Sequence, residues 1–300
     1  MSPFALLRVG GIVFAAVSLI VVGDTAAKLL TAEGVPPSFV AFARFALPCV
    51  LFVPLSGVSL VDLWHFADWR VLLRGLCITG GILSIIAALE TEPIANVFGA
   101  FFIGPIVSYV LAVIFLGERP SQLRTLLLAL GFIGVMLVVK PGFGATPGIG
   151  FALLAGTFYG AFLALTRAVT DVYRARFLLL SQFVIGALAL APLGVTVEAP
   201  PLSAELYLLI GVSALASACG NYLILLANVR AEASLIAPLI YMQLITATVL
   251  GGLVFSEWPD ALALIGLAMI ATSGLGALLA RPKANGEDET EPGKMRVPNG

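Results

Sequence analysis

Long apolar runs separated by short polar links set the pattern of this chain. They recur at about Val9–Leu30, Pro37–Leu55, Trp69–Leu89, Pro93–Leu116, Leu123–Val139, Gly148–Thr166, Phe177–Val195, Glu205–Ala227, Ala231–Phe255 and Asp260–Leu279. Each is near the ~20 residues that cover ~30 Å of hydrocarbon at about 1.5 Å per residue, so the pattern predicts ten transmembrane helices. The links carry helix stops, such as Gly34-Val35-Pro36-Pro37, Pro141-Gly142 and Pro200-Pro201. The fifth run is the weakest, because Arg124 and Lys140 bracket it closely; both side chains can snorkel outward and lengthen the span. The first run is followed by further spans and reads as a retained helix rather than a signal peptide.

The run from Ala88 to Pro120, ALETEPIANVFGAFFIGPIVSYVLAVIFLGERP, comes round again at Ala227 to Pro259 as ANVRAEASLIAPLIYMQLITATVLGGLVFSEWP, at one constant offset. Ala95 meets Ser234, Phe102 meets Tyr241, and Glu118 and Pro120 meet Glu257 and Pro259. The layout recurs more than the identities do: a charged link, a long charge-free run, then a Glu, one residue and a Pro. The expected fold is an all-α integral membrane protein with ten transmembrane helices in two inverted five-helix repeats, 1–140 and 141–280. Inversion follows because five spans per half return the chain on the opposite side. Residues 281–300 are polar and hold few apolar side chains, which reads as a disordered cytoplasmic tail.

Composition agrees, with 60% hydrophobic and 11% charged residues and a mean hydropathy of +1.08. Charge then gives the orientation. With a cytoplasmic N-terminus, the inner links and helix ends hold Arg8, Arg70, Arg74, Arg119, Arg124, Arg167, Arg174, Arg176, Arg230, Arg281 and Lys283, against Lys28 and Lys140 outside. This positive-inside bias predicts cytoplasmic termini and a multi-pass protein of the inner (plasma) membrane. A net charge of -1 with no basic face argues against nucleic acid. Cys49, Cys77 and Cys219 lie in apolar runs and read as small core hydrophobes, not as a disulfide or metal framework. His65 is the single histidine, and no nucleophile–base pair or GxxxxGK[ST] string accompanies it, so no enzyme activity, cofactor or metal is expected.

Polar residues inside the spans carry the functional reading, because a charge in hydrocarbon is costly unless it faces a partner or water. Asp24 and Lys28 share a helix face, and Arg44 lies at a similar depth on the next span. They form either an outer-facing substrate site or a structural ion pair, or else Lys28 only snorkels to the surface. Phe102 and Tyr241, equivalent in the repeat, sit near the midplane, where they either stack on a substrate ring or pack in the core. Asn96, Asn221, Tyr222 and Gln243 each need a hydrogen-bond partner. Tyr241 and Gln243 point about 200° apart on their helix, and Tyr241 is preferred for the cavity. Pro48, Pro105 and Pro238 suit bent, cavity-lining helices. Glu118 and Glu257, at helix ends, read as caps or cross-link contacts.

The strings FLGERP at Phe115–Pro120, FSEWP at Phe255–Pro259, GDTAAK at Gly23–Lys28 and FARF at Phe42–Phe45 resemble the EamA branch of the drug/metabolite transporter superfamily, over about residues 9 to 280. The resemblance implies a central cavity lined by spans one to four and six to nine, with spans five and ten outside and available for a homodimer contact. It implies secondary transport by alternating access, with a proton or counter-solute as a further partner beside the substrate and the bilayer. Arg44 and Lys28 point to an amino acid or a similar zwitterionic or anionic metabolite as the substrate, and the expected direction is export. The alternative is uptake: the string YMQLITATVLGGLVFSEWPD is similar to carriers of S-adenosylmethionine or riboflavin. A non-transporting membrane sensor or scaffold is the reading of another class, and would call for a soluble domain or long loop.

Overall fold

The computed structural model describes residues 3–55, 57, 60–92, 94–118, 122–139, 146–195, 203–256 and 258–279. Lys140, Glu257 and the tail 281–300 lie outside the described residues. All regular structure among them is helical: α1 (Pro3–Ala32), α2 (Pro37–Phe52), α3 (Trp69–Thr91), α4 (Ile94–Phe101), α5 (Gly104–Phe115), α6 (Gln122–Val139), α7 (Pro147–Val169), α8 (Ala175–Val195), α9 (Ala204–Arg230), α10 (Ala233–Ile240), α11 (Gln243–Phe255) and α12 (Ala261–Leu279), with 3-10 turns at Val53–Leu55 and Leu60–Ala67. Eight stretches are long and apolar enough to cross a membrane, and Pro37–Phe52 and Gln122–Val138 are shorter apolar helices. These are the ten apolar runs of the sequence, and the chain is an all-α, multi-pass membrane protein. Helices are the form such runs take, since hydrocarbon offers no partner to a free N–H or C=O.

Local chemistry fixes where the helices start. Asp68 accepts from the Arg70 amide at 2.8 Å, Thr146 from Ile149 at 3.3 Å, Ser203 from Leu206 at 3.3 Å and Asp260 from Ala263 at 2.9 Å. These are the short polar side chains that satisfy the free amides of a first turn. Pro37 and Pro147 occupy first-turn positions, where a missing N–H costs nothing.

The fourth and ninth runs are each broken in two. α4 gives way to α5 at Phe102-Ile103, and α10 to α11 at Tyr241-Met242, which are equivalent positions of the repeat. Pro105 and Pro238 flank the breaks, whereas Pro48 sits inside an unbroken α2. At both breaks the backbone tightens to i→i−3 bonds, Ile103 N to Ala100 O at 3.3 Å and Met242 N to Leu239 O at 3.1 Å. No segment unwinds there; the chain passes the break through a tighter turn.

The halves interlock: α1 packs chiefly on α9, α2 on α8, α3 on α7 and α6 on α12. The α6–α12 contact depends on glycine. A Cβ on Gly134 would come within 2.7 Å of the Gly266 carbonyl oxygen, and one on Gly266 within 2.6 Å of that of Gly134. Gly131, Gly274 and Gly276 likewise face Tyr241, Met242 and Leu127 of the same chain, so these glycines serve internal packing. Of the cysteines, Cys77 is buried and Cys49 half-buried, while Cys219 is exposed on the bundle surface, in contrast to the expected core position.

Candidate functional site

Asp24 is 7% and Arg44 3% exposed, and Arg44 Nη1 donates to Asp24 Oδ1 at 2.8 Å. Arg44 Nε donates to Ser213 Oγ on α9 at 2.9 Å, and that hydroxyl donates to the Gly23 carbonyl at 3.0 Å. Glycine at 23 is what lets α1 and α9 approach: a Cβ there would lie 2.9 Å from the Ser213 carbonyl oxygen and 3.3 Å from Arg44 Nη2. The ion pair is thus tied to both halves of the chain.

Beside it lies a cavity of about 40 Å³ whose lining includes Asp24, Arg44, Phe98, Phe101, Tyr159, Ser217, Asn221 and Gln243. Its polar groups are not saturated. Arg44 Nη2, Tyr159 Oη, Asn221 Oδ1 and Gln243 Oε1 are buried with no hydrogen-bond partner. Asn221 uses its amide nitrogen on the Ser217 carbonyl at 2.9 Å, leaving the oxygen free. Each such group costs on the order of 1–3 kcal/mol when buried unpaired. Two donors and two acceptors therefore converge on one small space.

A second cavity, of about 20 Å³, shares Asp24 and Phe98 with the first and adds Thr25, Lys28, Gly251 and Phe255. Half-buried Lys28 lies one turn along α1 from Asp24, so the second space borders the first at Asp24 and reaches Lys28. Phe102 and Tyr241 pack on each other, with ring centroids 5.7 Å apart and both fully buried. Among the described residues the cavity wall includes Phe98, Phe101 and Gln243 instead. Asn96 belongs to α4, and its side chain lies outside the described residues. The structure thus brings together Asp24, Arg44 and Asn221, adds Tyr159, Ser213 and Gln243, and sets Lys28 at the neighbouring space.

The end of the bundle where α1 begins is laced across the halves. Glu118 accepts from the Ala233 and Ser234 amides at 3.0 and 2.9 Å, Arg124 Nη1 donates to Glu232 at 2.7 Å, and Tyr173 Oη donates to Asp68 at 2.6 Å. The Arg70 guanidinium bonded to Asp68, helped by Tyr173, holds that carboxyl far below the usual carboxylate range. His65 stacks its edge on Tyr173 and Phe177 of the same region, at 5.3 and 5.8 Å.

A multi-pass helical bundle with unsaturated polar groups around an internal cavity is the kind of build a membrane carrier has. Residues 8–140 and 146–279 each match the EamA-like transporter family, and the chain belongs to that family. It is 28% identical over 255 residues to the riboflavin transporter of Rhizobium johnstonii, covering 80% of both chains. It is 26% identical to the S-adenosylmethionine uptake transporter of Rickettsia conorii, covering 82% of this chain and 84% of that one. A solved crystal structure shares the fold, with a TM-score of 0.75 at 17% identity over 93% of this chain and 98% of that chain.

Proposed function

We propose that this transporter takes up a small metabolite bearing a fused heteroaromatic ring, by alternating access, with the Asp24–Arg44–Tyr159–Asn221–Gln243 cavity as the substrate site. The observation that carries the reading is the set of four unpaired buried polar atoms around that one cavity. Donors on Arg44 and Tyr159 and acceptors on Asn221 and Gln243 suit a flat ring whose edge alternates acceptor atoms and N–H groups, and Phe98 and Phe101 offer it faces for stacking. The relatives support this, since riboflavin and S-adenosylmethionine both contain such a ring. The name of the S-adenosylmethionine uptake transporter also favours uptake over export.

At about 40 Å³ the cavity has room for two or three waters, against the several hundred Å³ a metabolite fills, so the proposed site must widen to load. The positive-inside pattern supports a laced end that faces the cytoplasm and a Lys28 that faces outward, on the entry side. Asp24–Arg44, already neutralised, sits at the junction of both halves, where a rocking motion changes its surroundings.

The test is uptake of labelled riboflavin and S-adenosylmethionine into proteoliposomes, with unlabelled amino acids as competitors. Saturable uptake of a ring solute that amino acids leave untouched supports the reading. Inhibition by amino acids in place of ring solutes overturns it in favour of a zwitterion carrier.

A further inference from the structure

Arg74 has no place in the site above, yet it is fully buried. It lies in the second turn of α3, one turn from Ile78 on the cavity wall. Its Nε donates to Thr166 Oγ1 at 2.8 Å, its Nη1 to the Leu178 carbonyl at 2.8 Å and its Nη2 to Gln182 Oε1 at 2.9 Å, and its guanidinium carbon lies 4.7 Å from the centre of the Phe162 ring. Every one of these partners is neutral, and among the described residues no carboxylate pairs with it. A guanidinium stays protonated, so a full positive charge is held in the bundle with hydrogen bonds but no counter-charge.

The repeat shows what this arrangement corresponds to. The offset that carries Ala88 onto Ala227 also carries Arg74 onto Ser213, the hydroxyl that binds Arg44. An offset shorter by a single position carries Arg44 onto Gln182, which binds Arg74. The same pair of positions thus holds Arg44 with Ser213 in one place and Gln182 with Arg74 in the other. That shorter offset carries Asp24, the counter-charge of Arg44, onto Phe162, the ring under Arg74. One station is therefore neutral and the other carries a net positive charge. The Phe162 ring is also 6.1 Å from that of Tyr159, so a single aromatic layer separates the Arg74 charge from the cavity wall.

We propose that Arg74 is a specificity-determining residue: its uncompensated charge makes the cavity select neutral or anionic ring solutes and reject net-cationic ones. The inference rests on the cavity being the substrate site. The two ring distances place the Arg74 guanidinium carbon within about 11 Å of the Tyr159 ring on the cavity wall, and at an effective dielectric near 20 a unit charge at about that distance changes the binding of a singly charged solute on the order of tenfold. Between the solutes named for the relatives, it favours neutral riboflavin over S-adenosylmethionine, a sulfonium with a net positive charge. A buried charge that served packing alone would be replaceable by an apolar side chain of similar volume at little cost.

Two substitutions remove the excess charge by different routes: Arg74→Met deletes it, and Gln182→Glu neutralises it in place while keeping the acceptor that Nη2 already uses. Uptake of riboflavin and S-adenosylmethionine into proteoliposomes gives the ratio of their kcat/KM values. We expect the wild type to prefer riboflavin, both variants to move the ratio about tenfold toward the cation, and Arg74→Lys to leave it unchanged. A ratio identical in wild type, Arg74→Met and Gln182→Glu overturns the proposal, as does a wild-type preference for the cation. Should Arg74→Met not fold, Gln182→Glu decides alone. If the wild type carries neither solute, the substrate reading falls by itself. Arg74 is then judged by thermal shifts of the purified protein with flavin mononucleotide, riboflavin and S-adenosylmethionine. Anion above neutral above cation, flattened in Gln182→Glu, supports it, and no order or no shift overturns it.

Discussion

Glu118, at the end of α5, holds the backbone amide of Ser234 at 2.9 Å and so caps a helix 116 residues further along the chain. The same carboxylate takes the Ala233 amide at 3.0 Å. Anionic oxygens on the free amides of a first turn are among the stronger hydrogen bonds available to a helix end. We expect Glu118→Ala to lower stability by about 2 kcal/mol and Glu118→Gln by about half that, read by thermal unfolding in detergent. An Ala variant as stable as the wild type would remove this tie from the account.

Asp24 and Arg44 are expected to behave as a buried pair, in which breaking costs more than deleting. Asp24→Asn or Arg44→Gln alone should cost about 3–5 kcal/mol by stranding the partner charge. Asp24→Leu with Arg44→Met should recover most of the folded yield. Uptake by the double variant then separates scaffold from site: recovered protein without transport places the pair in the substrate site, and full transport places it in the framework.

Tyr159→Phe removes a buried hydroxyl that has no hydrogen-bond partner. We expect stability to rise by about 1 kcal/mol while KM for the ring solute rises several-fold. A variant with both values unchanged would show that the hydroxyl meets neither water nor substrate.

Gly134→Ala, with its Cβ 2.7 Å from the Gly266 carbonyl, should destabilise by about 1–3 kcal/mol. Gly211→Ala, where nothing lies within 4 Å of the new Cβ, should be neutral or stabilising by about 0.5–1 kcal/mol. Equal unfolding temperatures for the two variants would contradict the close α6–α12 contact.

The Tyr173–Asp68 hydrogen bond sets a pH test. Asp68 is held below the usual carboxylate range by Arg70 first and then Tyr173, and the bond to Asp68 raises the Tyr173 phenol above its usual value. A depressed carboxyl contributes stability above its unfolded value near 4 and loses it as pH falls toward the folded one; a raised phenol contributes below its unfolded value near 10 and loses it above. The stability difference between wild type and Tyr173→Phe, about 1 kcal/mol, should therefore be flat from pH 5 to 9 and shrink below pH 4. A slope between pH 6 and 8 would assign the effect to another group.

The helices, their near-ideal spacing and the recurrence of α4–α6 as α10–α12 were legible because bilayer thickness and backbone satisfaction write themselves into hydropathy. Asp24 and Arg44 were legible as a pair, since charges in apolar runs must find each other. Asn221 was legible as a polar group needing a partner. Tyr159 was not, because a tyrosine in an apolar run reads as packing until its neighbours are known. Tyr241 and Gln243 could be told apart only by their neighbours: Tyr241 is fully buried against Phe102, and Gln243 lines the cavity. Arg74 was counted with the charges that flank spans. Its burial depends on Thr166, Leu178 and Gln182, which lie far along the chain in the other half. The one available signal was its alignment with Ser213.

The breaks at Phe102-Ile103 and Tyr241-Met242 give this bundle two short levers. α5 has 12 residues and α11 has 13, so each arm is about 18–20 Å long. A tilt of about 10° about such a joint swings the far tip by about 3 Å, close to the width of a water molecule, while bending only two peptide units. The two arms begin at the same place, where the rings of Phe102 and Tyr241 touch, so a tilt of either would be felt at one shared contact.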